Sequence, residues 1–244
     1  MSATTAVLKA EARLFRREPG VLFWVIGFPP LLLVILGAIP SFREVNAEGF
    51  RLIDVYVPVL VLVALIVAGL QTMPPVITGY RERGILRRMS ATPVRPAALL
   101  SAQMGLNGAA AIVSAVLCLT IGRFAYDVQL PQQAFGYVLA LLLTAAAALA
   151  LGALVSALAR TAKIASAIGS VVFFPSLFCA GLWIPVRSMP DLMAHIVVLT
   201  PFGAAAGALD QASSGHWPDW SHLGVLAAWA VVLTAAAAGW FRWE

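Results

Sequence analysis

The sequence predicts an all-α integral membrane protein with six transmembrane helices in a single domain, residues 1–244. Three observations carry this. The chain is 61% hydrophobic and only 11% charged, against about 25% charged in a soluble domain. Its apolar residues fall into six long runs, approximately 21–39, 55–78, 97–122, 134–159, 164–186 and 223–241, none containing Asp, Glu, Lys or Arg. Each run reaches the length of about 20 residues that crosses a hydrocarbon core. They are rich in Ala and Leu and lack the alternation of a membrane barrel, so in lipid the helix satisfies their backbone groups. The net charge of +5 lies in short segments between these runs. That distribution argues against a nucleic acid partner, which needs a basic face on a soluble fold.

The N-terminal stretch, residues 1–20, reads as an amphipathic elbow helix. On a helical wheel Lys9, Arg13, Arg16 and Arg17 share a sector of about 100°, with Val7, Leu8, Leu14 and Phe15 opposite. Such a helix lies on a membrane with its basic residues toward anionic lipid head groups. Pro19-Gly20 then turns the chain into the membrane. Glu11 and Glu18 project onto the apolar side. Either the stretch is a basic topology flank, or its glutamates meet cationic groups on a neighbouring element.

Orientation follows from the connections. Twelve of the sixteen Lys and Arg residues fall on one side: at the N-terminus, in 79–96, at Arg160 and Lys163, and at Arg242. Arg43, Arg51, Arg123 and Arg187 fall on the other. The positive-inside rule makes both termini and the 79–96 segment cytoplasmic.

That segment, "GYRERGILRRMSATPVRP", is the densest basic insert between apolar runs. A wheel from Tyr80 sets Ile85, Leu86 and Met89 on one side and Arg81, Arg83, Arg87 and Arg88 around the other, with Glu82 in the apolar stripe. Thr92-Pro93 ends the helix, because the residue before proline is pushed out of helical geometry. Pro96 then opens the third span. A topology signal needs the charges but not the apolar ridge, so a docking element is expected.

The short turn at 160–163 pairs the fourth and fifth spans. The long outer connection, 187–222, contains "SMPDLMAHIVVLTPFGAAAGALDQA", too short to span and too apolar for a free loop. It predicts one or two short helices at the outer interface.

Prolines interrupt the first span (Pro29, Pro30), the second (Pro58, Pro74, Pro75) and the fifth (Pro175). An interior proline removes a backbone hydrogen bond and kinks the helix, as a static bend or as a hinge. Polar groups able to face a pathway are few, among them Gln71, Thr72, Gln103 and Asn107. The candidate pathway and hinge residues are therefore Pro29, Pro30, Gln71, Pro74, Pro75, Gln103, Asn107 and Pro175. So apolar a pathway suits a hydrophobic or amphipathic compound.

Several chemistries are disfavoured. A P-loop needs Gly-Lys-Ser/Thr, and the two lysines, Lys9 and Lys163, follow Leu8 and Ala162. An ion-coupled carrier keeps ionisable groups in its spans, and these runs hold none. An intramembrane hydrolase is the other alternative. His195, His216 and His222 lie near serines, but without a G-x-S-x-G elbow or close metal-ligand spacing. No catalytic or metal-binding residue is expected. Cys118 and Cys179 read as small apolar residues.

The motif "ERGILRRMSATPVRP", the outer "MPDLMAHIVVLTPFGAAAGALDQA" and the terminal "FRWE" resemble the membrane permeases of type-2 ATP-binding-cassette (ABC) exporters, in the drug-resistance and antibiotic-export branch. The resemblance covers nearly the whole chain. Two departures stand out: Ile85 occupies a usual Thr position, and Gln103 stands near where many relatives carry Lys or Arg. The resemblance implies a cytoplasmic coupling helix over Gly79–Thr92 that enters a cleft of a separate ATPase. Glu82, Arg87 and Arg88 would make its contacts, and Ile85, Leu86 and Met89 would fill the cleft, with Gly84, Thr92 and Pro93 shaping it. It further implies ATP and Mg bound by that ATPase and no cofactor on this chain. The partners would be the ABC ATPase and a second permease, identical or different. The assembly would sit in a bacterial plasma membrane and export a drug, antibiotic or lipid-like compound by alternating access, or alternatively a lipid-linked glycan.

Overall fold

The computed structural model describes residues 3–46, 49–90 and 96–240. Thr92 and Pro93 lie outside them. Besides a 3-10 turn at Val186–Ser188, eleven helices follow in order among the described residues: α1 (Ala3–Phe15), α2 (Pro19–Ala38), α3 (Pro40–Arg43), α4 (Leu52–Glu82), α5 (Ile85–Ser90), α6 (Pro96–Tyr126), α7 (Ala134–Leu158), α8 (Ala162–Cys179), α9 (Asp191–Val198), α10 (Pro201–Ser213) and α11 (Trp220–Trp240). No strand forms among the described residues; one isolated bridge pairs Val45 with Arg51. Helices α2, α4, α6, α7, α8 and α11 are long and apolar enough to cross a membrane, and they coincide with the six expected runs. Three sets of bounds differ. The second span's helix extends beyond its apolar run at both ends to take in Asp54, Arg81 and Glu82, the third runs on past Arg123 to Tyr126, and the fifth stops at Cys179.

The bundle is built around α4. Its 31 residues give a rod about 46 Å long at 1.5 Å per residue, and from Ile53 to Leu70 nearly every side chain is buried. The other spans surround it and leave their outer faces, such as Val171 and Phe174 on α8, exposed.

Both double prolines sit just after a π-helical turn. In α2 the turn is Phe23–Gly27, ahead of Pro29-Pro30. In α4 it is Val67–Thr72, ahead of Pro74-Pro75. A proline cannot bond the carbonyl four residues back and its ring presses on that carbonyl, and a widened turn gives the ring room. Pro30 thus frees the Ile26 carbonyl, which accepts a hydrogen bond from Ser114 Oγ at 3.3 Å.

The π turn of α4 is also where it comes very close to the backbones of its neighbours. A Cβ on Gly152 of α7 would lie 2.0 Å from the Gly69 carbonyl oxygen, and one on Gly69 would lie 2.3 Å from the Ala148 carbonyl. On the other side, a Cβ on Gly169 of α8 would reach the Leu70 carbonyl at 2.4 Å. Small residues let membrane helices approach in this way, and here they clamp α4 between α7 and α8.

The long connection differs from expectation. Helices α9 and α10 meet at a bend of 100°. The Leu199 carbonyl between them accepts a hydrogen bond from Trp229 Nε1 at 2.9 Å. Trp229 lies nine residues into α11, roughly 14 Å along it. The pair is therefore a re-entrant hairpin reaching about half-way down the last span. Phe202, Ala204, Ala205, Ala208 and Leu209 of α10 are fully buried, so α10 is a core element and not an interfacial one.

Gly152→Ala is expected to cost about 1–3 kcal/mol, the range for an overpacked core, read as a lowered Tm of the detergent-purified protein. Gly105→Ala, whose Cβ meets nothing within 4 Å, is expected to hold or slightly raise Tm, since Ala is the better residue in a helix interior.

Candidate docking face and pathway

The structure segregates charge to the two ends of the bundle. Lys9, Arg13, Arg16, Arg17, Arg81, Arg83, Arg87, Arg88, Arg160 and Lys163 gather at one end, called here the basic end. Arg43, Arg51, Arg123 and Arg187 share the other with Glu44, Asp54, Asp127, Asp191, Asp210 and Asp219.

At the basic end, α4 stops at Glu82 and Gly84 takes φ +65, a conformation glycine adopts without the Cβ penalty of other residues. The chain turns there into the short α5. Glu82, Arg83, Arg87 and Arg88 are exposed, Ile85 and Met89 half-buried, and Leu86 is 1% exposed. Two expectations change. Glu82 belongs to the last turn of α4, not to the short helix. Leu86, expected to fill a partner's cleft, is buried within this chain and anchors α5 to the bundle. The exposed surface of the segment is its charged rim.

Arg81, one residue earlier, donates from Nη1 to the carbonyls of Ser156 at 2.8 Å and Ala159 at 2.6 Å. These carbonyls lie at the C-terminal end of α7, where a helix leaves its last acceptors unpaired. The arginine thus caps α7 from α4 and ties the docking turn to the fourth span.

Glu11 of α1 is 7% exposed. Among the described residues no cationic partner meets it. Instead Oε2 accepts from the Tyr80 hydroxyl of α4 at 2.9 Å and from Gln103 Nε2 of α6 at 2.6 Å. From Gln103 the chain continues inward. Asn107 Nδ2 donates to the Gln103 backbone carbonyl at 3.0 Å and to Gln103 Oε1 at 3.4 Å. The Thr72 hydroxyl lies 2.6 Å from Asn107 Oδ1 and 3.0 Å from the Ala68 carbonyl inside the π turn. A buried polar ladder therefore runs from the N-terminal helix to the π turn of α4. Buried polar groups in lipid must find partners of this kind.

A cavity of about 440 Å3 opens beside the ladder, between α1, α2, α4, α6 and the start of α5. Its walls combine Leu14, Phe15, Val21, Pro75 and Val76 with Thr72, Tyr80, Gln103 and Asn107, and Glu18 and Arg83 also line it. The expected pathway residues Gln103, Asn107 and Pro75 thus meet at one site. Pro29, Pro30 and Pro74 are buried within the bundle, Gln71 is half-buried away from this cavity, and Pro175 is exposed on a separate apolar cavity against Pro201 and Trp229. Tyr80 and Arg81 could not be singled out beforehand, because one more Tyr and one more Arg in a basic insert carry no distinguishing pattern.

At the opposite end, Arg51 forms a two-point ion pair with Asp54, at 2.9 and 2.7 Å, and donates to the carbonyls of Tyr126 and Asp127. The carboxylate hydrogen bonds hold the guanidinium pKa above its ordinary value. Arg187 lies 4.9 Å from the Phe50 ring and pairs with Asp210 at the end of α10. This end is latched by ion pairs.

The family model of the ABC-2 type transporter matches residues 2–212. The chain belongs to the ABC-2 type transporter family. It is similar to no curated protein at a significant level. The ABC-2 domain is a transport permease of a multi-pass membrane protein, not itself catalytic, and the family implies an ABC ATPase as its partner. In this permease the matched region takes in α1, the docking turn and the whole re-entrant hairpin but for its last residue.

In a double-mutant cycle, Thr72→Val and Asn107→Leu are expected to couple by about 0.5–3 kcal/mol in thermal stability, as members of one network do. Thr72→Val with Ser213→Ala, at the opposite end, is expected to be additive.

Proposed function

We propose that this permease exports a hydrophobic or amphipathic compound across a bacterial plasma membrane, driven by a separate cytoplasmic ABC ATPase. One observation carries the reading. A rigid turn at the basic end presents Glu82, Arg83, Arg87 and Arg88 outward while Leu86 and the Arg81 cap fasten it to the bundle. A docking element must be exposed to its partner and stiffly joined to what it moves. The excess of Lys and Arg at this end supports a cytoplasmic location for it and for α1.

In this mechanism the ATPase binds ATP and Mg, and this chain supplies only the docking rim. Closure of the ATPase pair displaces α5 and the last turn of α4. Arg81 carries that displacement to α7, and Tyr80 carries it through Glu11 to α1 and α6. The cavity beside the ladder receives the compound, and release follows at the opposite end, where the Arg187–Asp210 pair holds the re-entrant hairpin. Two permease chains, identical or different, complete the path.

The test is co-purification from detergent-solubilised membranes. The wild type is expected to bring down an ATP-hydrolysing subunit. The triple variant Glu82→Arg, Arg87→Glu, Arg88→Glu is expected to retain at most about a tenth as much, the scale of losing interfacial charge pairs, with its Tm unchanged. Recovery of the ATPase at wild-type levels by the triple variant would overturn the docking assignment.

A further inference from the structure

The cavity beside the polar ladder has a hydrogen-bonding polarity that selects a class of compound. An ionised carboxylate accepts hydrogen bonds and donates none. Glu11 therefore draws the Tyr80 hydroxyl proton and one Gln103 amide proton toward itself. Both Asn107 amide protons are committed to Gln103, and the Thr72 proton is directed at Asn107 Oδ1 or the Ala68 carbonyl. Apart from the second Gln103 amide proton, the donors of the ladder are taken by protein acceptors, and the uncommitted capacity of Tyr80, Thr72 and the side-chain carbonyls is lone pairs.

The carboxylates reinforce this bias. Among the described residues no Lys or Arg forms an ion pair with Glu11 or Glu18. Glu11 is buried one hydrogen bond behind the wall, and Glu18 stands on the wall itself. Lys9 and Arg13, on the same helix as Glu11, lie on the opposite side of its wheel. The cation on the wall, Arg83, is turned onto the Gly79 carbonyl at 3.1 Å and lies 5.5 Å from the Tyr80 ring centre. The remaining wall is apolar, and about 440 Å3 falls within the roughly 300–1,000 Å3 of small-molecule sites.

We propose that this cavity binds an amphipathic amine, its ammonium group among the acceptors backed by Glu11 and Glu18 and its apolar body against Leu14, Phe15, Val21 and Val76. The proposal rests on the export reading for its purpose, but its test does not involve the ATPase. A failure here therefore leaves co-purification of the ATPase unaffected, and the reverse.

The experiment uses the full chain in phosphatidylcholine nanodiscs. The probes are decyl chains with a fluorescent reporter at one end and an ammonium, hydroxyl or carboxylate group at the other. The ammonium probe is expected to bind saturably and about tenfold tighter than the other two, the effect of one partly desolvated charge pair. Glu11→Gln is expected to remove most of that preference while leaving the hydroxyl probe unchanged. Asn107→Asp, which adds an acceptor-only group to the wall, is expected to raise it, and this gain keeps the test decisive if Glu11→Gln does not fold. Equal binding of the three probes, or an ammonium preference untouched by either variant, would overturn the proposal.

Discussion

The fold depends on the close backbone contact of the α4 π turn with glycines on α7 and α8. Between membrane helices there is little hydrophobic driving force, and association comes from packing and hydrogen bonds. At Gly69, Gly152 and Gly169 even one methyl group would collide with a carbonyl oxygen. This contact fixes α4 against its neighbours at mid-height, where its double proline would otherwise leave a loose joint. With α4 fixed, the other spans have one surface to pack on, and its two ends become the levers of the molecule.

Those ends are built differently. At the basic end, hydrogen bonds from single side chains reach across elements: Arg81 to α7, Tyr80 to α1. At the opposite end, ion pairs are added: Arg51 with Asp54 at the start of α4, and Arg187, ahead of the re-entrant hairpin, with Asp210 on it. Exposed ion pairs are individually weak, and at the second end they work beside cross-element hydrogen bonds from Tyr56 to the Leu182 carbonyl and from Tyr126 to the Val34 carbonyl. The ladder from Glu11 to Thr72 places polar contact inside the span that carries the motion, next to the cavity it would reshape.

Much of this was legible in the sequence. Six helices follow from run length and apolarity alone, and the charge asymmetry follows from counting. Helix ends were less legible, because long basic side chains extend a helix past its apolar run while their head groups reach polar partners, as Arg81 does. The wheel placed Glu11 and Leu86 on the right faces. It does not say what lies opposite, and the partners proved to be Tyr80 and Gln103 for one and the bundle itself for the other. The burial of α10 was hidden for a similar reason. An Ala/Gly-rich stretch of 13 residues is too short to span, and only the tertiary fold shows it threaded between α4, α7 and α11.

The central claim is that the rim of α5 faces the ATPase side of the membrane and is covered there. The most direct measurement is maleimide labelling of Arg87→Cys in a Cys118→Ala, Cys179→Ala background, in sealed inside-out and right-side-out vesicles, with and without the co-expressed ATPase. The account predicts labelling in inside-out vesicles alone, suppressed when the ATPase is present, while Ser214→Cys labels from the other side. Labelling of residue 87 from the right-side-out face, or equal labelling with the ATPase bound, would contradict it.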